Sequence, residues 1–103
     1  FPKGMGSMVK QAQQMKKKFN QVQDELEKLD IEGQSGGGMV RVVVNGKKDV
    51  KSVAIDPNVL NEEVDMVEDL ILAAINKAMD NADKISKDKM ASLTGGLNIP
   101  GLF

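Results

Sequence analysis

The chain has 103 residues, a length that allows one small domain. Its net charge is −1 and it contains no cysteine, so a nucleic-acid surface would have to be a local patch, and disulfides and thiolate metal sites are excluded. Histidine is also absent, and without the commonest general base or a thiol nucleophile we expect no catalysis, no cofactor and no small-molecule substrate. The chain lacks an apolar run of about 18 residues and a secretory signal, so we expect a cytoplasmic protein with no membrane partner.

The first predicted element is an amphipathic helix that begins at Ser7, as its N-cap, and runs to about Leu29. Residues 1–6, with their proline and glycines, are predicted to form a flexible N-terminal arm. Apolar residues recur along the helix in the heptad pattern of a helix that packs against another helix: Met8, Ala12, Met15, Phe19, Val22, Leu26 and Leu29.

The same stretch is strongly basic. Its lysines, which no acid interrupts before Asp24, are Lys3, Lys10, Lys16, Lys17 and Lys18. Lysines on a helix can contact nucleic-acid phosphates, although a solvated helix face is the commoner reason for such a run. Acids then follow from Asp24 to Asp30, where they have the wrong sign for the dipole of the helix end.

Three short strands are predicted next. Ile31–Ser35 is the weakest, and Gly36-Gly37-Gly38 after it predicts a turn. Residues 39–44 and Val50–Ile55 are predicted to pair as a hairpin around Asn45-Gly46. If that dipeptide forms a two-residue turn, the aliphatic side chains that share one face of the sheet are Val40, Val42, Val44, Val53 and Ile55.

A second long helix is predicted after the strands. Asp56-Pro57 ends the last strand, residues 57–60 can form one helical turn, and Asn61 is predicted to cap a helix from residue 62 to about residue 93. Its predicted buried stripe consists of Val64, Val67, Ile71, Ala74, Ala78 and Ile85.

These elements give one α+β domain over residues 7–93 and a Gly/Leu-rich C-terminal tail over residues 94–103, which we expect to be mobile or to dock. The two helices would measure about 33 and 45 Å. A compact domain of this size has a radius of gyration near 13 Å, so both helices would extend past a small sheet. We therefore predict a homodimer.

The order of these motifs resembles the YbaB/EbfC family of bacterial nucleoid-associated proteins. The segments that carry the resemblance are residues 8–15 (MVKQAQQM), 33–38 (GQSGGG), 44–46 (VNG), 53–57 (VAIDP) and 89–96 (KMASLTGG). The resemblance implies an α-β-β-β-α protomer with long helices around a small antiparallel sheet, and a tweezer-like homodimer. It also implies that the partner is double-stranded DNA, bound with loose sequence preference in the nucleoid.

With this resemblance, the DNA-binding lysines are predicted to be Lys10, Lys16 and Lys17, followed by Lys84 and Lys87. The last two also suit the C-terminal end of a helix, and that structural role is the better explanation for them alone. In the expected tweezer-like homodimer, the paired basic helices would clamp DNA phosphates between them. One arginine and three scattered phenylalanines offer little means of reading bases, so we expect low sequence specificity.

The alternative function is a protein-interaction or adaptor module that docks partners through its helices and the apolar tail. The acidic stretch from Asp56 to Asp69 favours it, because such a stretch repels a duplex. A cation site at Asp65, Glu68 and Asp69 is conceivable from their helical spacing, but a solvated acidic face is the commoner outcome, so no metal is expected.

Overall fold

The structure is a computed structural model that describes residues 3–93, with the side chains of residue 6 and of residues 8–93. Its elements are α1 (Lys3–Lys28), β1 (Ile31–Ser35), β2 (Val40–Val44), β3 (Val50–Ile55) and α2 (Val64–Leu93). This order confirms the predicted α-β-β-β-α chain and the α+β class. The predicted C-terminal tail lies outside the described residues.

The predicted helix starts are wrong at both helices. α1 begins at Lys3, so Ser7 lies inside the helix and residues 3–6 of the expected arm are helical. Glycine in a helix costs only about 1 kcal/mol relative to alanine, so Gly4 and Gly6 weaken this end without stopping it. α2 begins at Val64, and Asn61 instead ends a separate 3₁₀ turn over Pro57–Asn61.

The sheet is antiparallel in the order β1-β2-β3. Ser35 pairs with Val40 across the turn between β1 and β2, and Gly36, Gly37 and Gly38 in that turn have φ angles of 59°, 68° and 93°. These angles lie in the left-handed region, where a side chain would be strained. The prediction of a turn that requires glycine is therefore confirmed.

The hairpin forms, but its predicted two-residue turn does not. Val44 pairs with Val50 and the loop occupies residues 45–49, because the nearly buried side chain of Asn45 organises a wider loop. Its Oδ1 accepts hydrogen bonds from the backbone N–H groups of Lys47 and Asp49, each at 2.9 Å. The Asn45 side chain thus provides the acceptor for two backbone N–H groups of the wider loop.

The predicted faces of the sheet nevertheless hold. Val40 pairs with Ile55 and Val42 with Val53. From Val40 to Val43 this register differs from that of a two-residue turn by four residues, and an even shift leaves these side chains on their predicted faces. An irregularity between Val43 and Val44 interrupts the register next to the loop.

α2 packs across one face of β1 and β2. Gly33 of β1 lies so close to α2 that a Cβ there would overlap the backbone of Ala74 and Ala78. The buried side chains of this core are Ile31, Val40, Val42, Val44, Val59, Ala74, Ala78 and Ala82. All six residues of β3, by contrast, are exposed. The sheet is therefore covered on two strands and open on the third.

α1 runs antiparallel to α2 and overlaps only its end. Asp30 and Ile31 lie beside Lys84 and Ile85, and further back along α1 the Glu25 carboxylate lies 3.4 Å from Lys89 Nζ. Leu93, one turn beyond Lys89, is consequently level with about residue 21 of α1. The molecule measures 72 × 24 × 16 Å. Residues 3–21, named here the α1 arm, extend from the body, which consists of the sheet and α2.

Candidate nucleic-acid interface

The α1 arm carries most of the predicted DNA-binding lysines on an isolated helix about 28 Å long. Lys10 and Lys17 are seven residues apart, so they lie on one face of the helix, about 10 Å from each other along its axis. Lys16 and Lys18 point about 100° to either side of Lys17. All four side chains are exposed.

The face opposite Lys10 and Lys17 is the apolar side of the predicted heptad pattern. Met8 on that face is 69% exposed and Phe19 is 41% exposed, whereas Leu26, where α1 meets the body, is 1% exposed. From Met8 inward the arm is therefore amphipathic: it has a basic face and, on the opposite side, an apolar face that the described residues cover only at its base.

Four of the seven lysines of the body are engaged in ion pairs. The pairs are Lys47 with Glu27 (3.6 Å), Lys48 with Asp83, Lys51 with Asp30 (2.6 Å) and Lys89 with Glu25 (3.4 Å). Two of these acids, Glu25 and Glu27, belong to the last turns of α1, and Asp30 follows α1 directly, so these pairs join the end of α1 to the hairpin and to α2. Among residues 3–93, no ion pair involves Lys10, Lys16, Lys17 or Lys18.

Lys84 and Lys87 lie on the body instead of the arm. Lys84 lines a shallow groove with Asp30, Glu32 and Asn81. Lys87 lies close enough to Asp83 to help lower the pKa of that carboxyl, although the hydrogen bond from Lys48 is the larger cause. Within one protomer, Lys87 and Lys17 are separated by about 15 Å along the helix axis, so the structure does not bring the two predicted sets together.

Two glutamines share the basic face of the arm. Gln14 lies four residues after Lys10, and Gln21 lies four residues after Lys17, so both fall on the same side of the helix. Their amides could donate hydrogen bonds to phosphates or to base edges. The sequence contains this signal, since the seven-residue spacing of Lys10 and Lys17 and the four-residue spacing from each lysine to its glutamine can be counted directly.

The opposite end of the molecule is acidic. Glu62, Glu63, Asp65 and Asp69 surround the exposed Met66 at the start of α2, the end of this helix farthest from the arm. Within the described ranges, no group of three or more acidic side chains is placed to hold a metal ion. Nor does either described helix have a stretch long and apolar enough to span a bilayer.

The charged groups are segregated along the 72 Å axis of the protein: the basic face of the arm lies toward one end and the acidic start of α2 toward the other.

Comparison with known proteins identifies the family. A model of the YbaB/EbfC DNA-binding family matches residues 2–97. The nucleoid-associated protein TTE0040 of Caldanaerobacter subterraneus subsp. tengcongensis is 48% identical over 106 residues, covering 100% of this chain and 96% of that protein. A nucleoid-associated protein of Legionella pneumophila (strain Corby) is 45% identical over 96 residues, covering 93% of this chain and 86% of that protein. The uncharacterized protein HP0035 from Helicobacter pylori has a similar structure, with a TM-score of 0.75 at 25% identity, covering 88% of this chain and 94% of that chain. The chain belongs to the YbaB/EbfC DNA-binding family, as the order of its motifs predicted.

Proposed function

We propose that this protein binds double-stranded DNA without catalysis, as a homodimer in the nucleoid of the cytoplasm, and that each protomer presents its α1 arm to the duplex. Lys10, Lys16 and Lys17 contact phosphates, and Lys84 and Lys87 add weaker contacts from the body. The observation that carries the proposal is the difference in pairing: among the described side chains, Lys10, Lys16, Lys17 and Lys18 have no acidic partner, whereas four of the seven lysines of the body have one.

A net charge of −1 is compatible with this proposal because the charges are segregated. The acidic start of α2 lies at the far end of a 72 Å molecule, many Debye lengths from the tip of the arm at physiological salt. A duplex that meets the arm is therefore attracted locally, while the acidic end is screened. The same arrangement orients the protein, since only one end favours a polyanion.

The uncovered third strand supports a homodimer. Val53 and Ile55 lie on the same face of the sheet as the buried Val40 and Val42, yet they are 46% and 36% exposed because α2 does not reach them. Leu72, eleven residues before Asp83 and therefore on the same side of α2 as the residue that pairs with Lys48 of the hairpin loop, is 58% exposed. A second copy that packs there would complete the sheet's cover and place two arms on one particle.

The recognition mode follows from the side chains on the basic face. Lysines, which are point charges on flexible stems, bind phosphates without reading sequence. Phe19 is the one aromatic residue for which the structure describes the side chain, and it lies on the apolar face, so the basic face has no platform for stacking bases. We therefore propose phosphate contacts and DNA shape as the basis of a low sequence specificity.

The first test is the charge-reversed variant Lys16→Glu/Lys17→Glu, compared with Lys47→Glu/Lys51→Glu, which reverses the same number of charges on the body. We expect the arm variant to lose binding to a labelled duplex at about 50 mM salt, and the body variant to retain it. Light scattering should show the same oligomer for both. Unchanged DNA affinity of the arm variant would refute the assignment, and absent binding by the natural chain would favour the adaptor alternative.

The dimer is tested separately with Val53→Asp/Ile55→Asp. Two carboxylates on the open sheet face should produce a monomer by light scattering, with the circular dichroism of the folded chain retained, since neither side chain is buried in one protomer. Ser52→Asp/Ala54→Asp, on the opposite face of β3, is the matched control and should leave the dimer intact. A dimer that survives the first pair of substitutions would contradict this interface.

A further inference from the structure

The apolar face of the α1 arm lacks a cover among the described residues. It runs from Val22 outward, and we name it the arm strip; its members are Met8, Ala12, Met15, Phe19 and Val22. At its base, the strip continues into Leu26, which is 1% exposed and packs where Gly46 of the hairpin loop comes close. Toward the tip, the exposure rises to 69% at Met8.

An uncovered helix of this length is poorly stable alone. An isolated helix of fewer than about 15 residues is marginal in water, and a longer one with internal glycines gains little more. The arm contains Gly4 and Gly6, and its first turn has no acidic residue to favour the helix dipole. Packing on the arm strip would supply the stability that intrinsic propensity does not.

α2 ends at the base of this strip. The Lys89–Glu25 pair sets the two helices side by side in antiparallel orientation, and Leu93, half-buried, is level with about residue 21 of α1. α2 points along the arm toward its tip, and its last residue, Leu93, is level with the base of the strip near Val22.

The segment that follows has the composition and length that the strip requires. Residues 94–103 (TGGLNIPGLF) carry no charged side chain, and their apolar members are Leu97, Ile99, Leu102 and Phe103. Ten residues span up to about 33 Å when extended. The strip from Val22 to Met8 measures about 21 Å. A neutral apolar segment also suits a surface whose flanks, at Lys16 and Lys18, are cationic.

We propose that residues 97–103 lie along the arm strip of the same chain and hold the arm in its helical form. The segment covers the apolar face, and Lys10 and Lys17 on the opposite face stay exposed to solvent. The segment that follows α2 is in this account a structural cover for the arm and not a site for a foreign partner. The inference is independent of DNA binding, since it concerns only the free protein.

Thiol labelling tests this directly, because the chain has no cysteine of its own. Ala12→Cys places a thiol on the arm strip, and Gln13→Cys places one a single residue further on, turned about 100° away from Ala12 and off the strip. In the full chain we expect the thiol at position 12 to react with an aromatic disulfide about tenfold more slowly than the thiol at position 13, as protected sites do. The difference should persist on dilution of the protein.

Adding Leu102→Ser/Phe103→Ser to each cysteine variant removes the cover while keeping the full chain. The two thiols should then react at similar rates, and the helical circular dichroism should fall, since an uncovered arm frays. Equal rates in the chain with an unaltered tail would overturn the proposal. So would a protection of position 12 that survives the serine substitutions, which would assign the strip to a helix of a second copy.

Discussion

Replacing Lys10 and Lys17 together by glutamine tests the basic face of the arm most specifically. The two residues lie on one helix face about 10 Å apart, and glutamine keeps the helix propensity and most of the length of the side chain. If Lys10, Lys16 and Lys17 of both protomers each neutralise one phosphate, the logarithm of the binding constant should fall with the logarithm of salt concentration with a slope of about −5. The variant removes four of the six contacts, so its slope should be about −2.

Fluorescence anisotropy of a labelled duplex over a range of salt concentrations measures this slope. The matched control is Lys47→Gln/Lys51→Gln, which changes the net charge by the same amount on lysines already paired with Glu27 and Asp30. The control should keep a slope near −5. If the arm variant and the control reduced the slope equally, the effect would be one of total charge, and the reasoning from the geometry of the arm would be refuted.

Three further predictions concern stability. Gly33→Ala should destabilise the protein by about 1–3 kcal/mol or more in urea unfolding, because the new Cβ would overlap the α2 backbone. The control Gly6→Ala, which has open space around it, should stabilise the protein by up to about 1 kcal/mol, and equal effects of the two substitutions would contradict the close approach of Gly33 to α2. Asn45→Ala should cost about 1–3 kcal/mol in the same measurement, since it leaves two partly buried N–H groups of the loop without their acceptor. A cost near zero would show that Asn45 does not organise the loop. The pKa of Asp83 is lowered from 3.8, mainly by the hydrogen bond from Lys48. The natural chain should therefore be more stable than Asp83→Asn above about pH 5, and this difference in stability should fade as pH falls through the lowered pKa. A difference in stability that grows in acid would contradict the lowered pKa.

Much of the fold could be predicted from the sequence because its signals are local. Gly36-Gly37-Gly38 requires positive φ angles, and the valines of β2 and β3 alternate with the period of a strand, so both were predicted correctly. The faces of the sheet survived an incorrect turn because an even shift of register preserves them.

The errors arose where competing local signals decide the outcome. Ser7 and Asn61 are both good capping residues. α1 nevertheless continues past Ser7 to Lys3, because Gly4 and Gly6 weaken a helix without ending it, and Asn61 ends a 3₁₀ turn before α2 begins at Val64. The hairpin loop was wrong because the Asn45 side chain, through its contacts with the hairpin backbone and with Asp49, favours a wider loop.

The candidate interface was less predictable than the fold. Lys10 and Lys17 were named from their basic surroundings, but the sequence alone could not distinguish free lysines from paired ones. That distinction depends on the three-dimensional contacts of the lysines at positions 47, 48, 51 and 89 with acids distant in the chain. Whether Lys84 and Lys87 join the arm lysines around a duplex stays a prediction, since it depends on where a second protomer sits.

The most direct test of the central claim is a photocrosslink between the arm and DNA. Gln14→Cys carries a benzophenone probe on the basic face between Lys10 and Lys17, and Asn58→Cys carries the same probe on the body, beside the acidic end. The account predicts a crosslink to a duplex from position 14, fading as salt rises from about 50 to 200 mM, and little or none from position 58. Crosslinking from position 58 that equals or exceeds that from position 14 would contradict the claim that the α1 arm binds DNA.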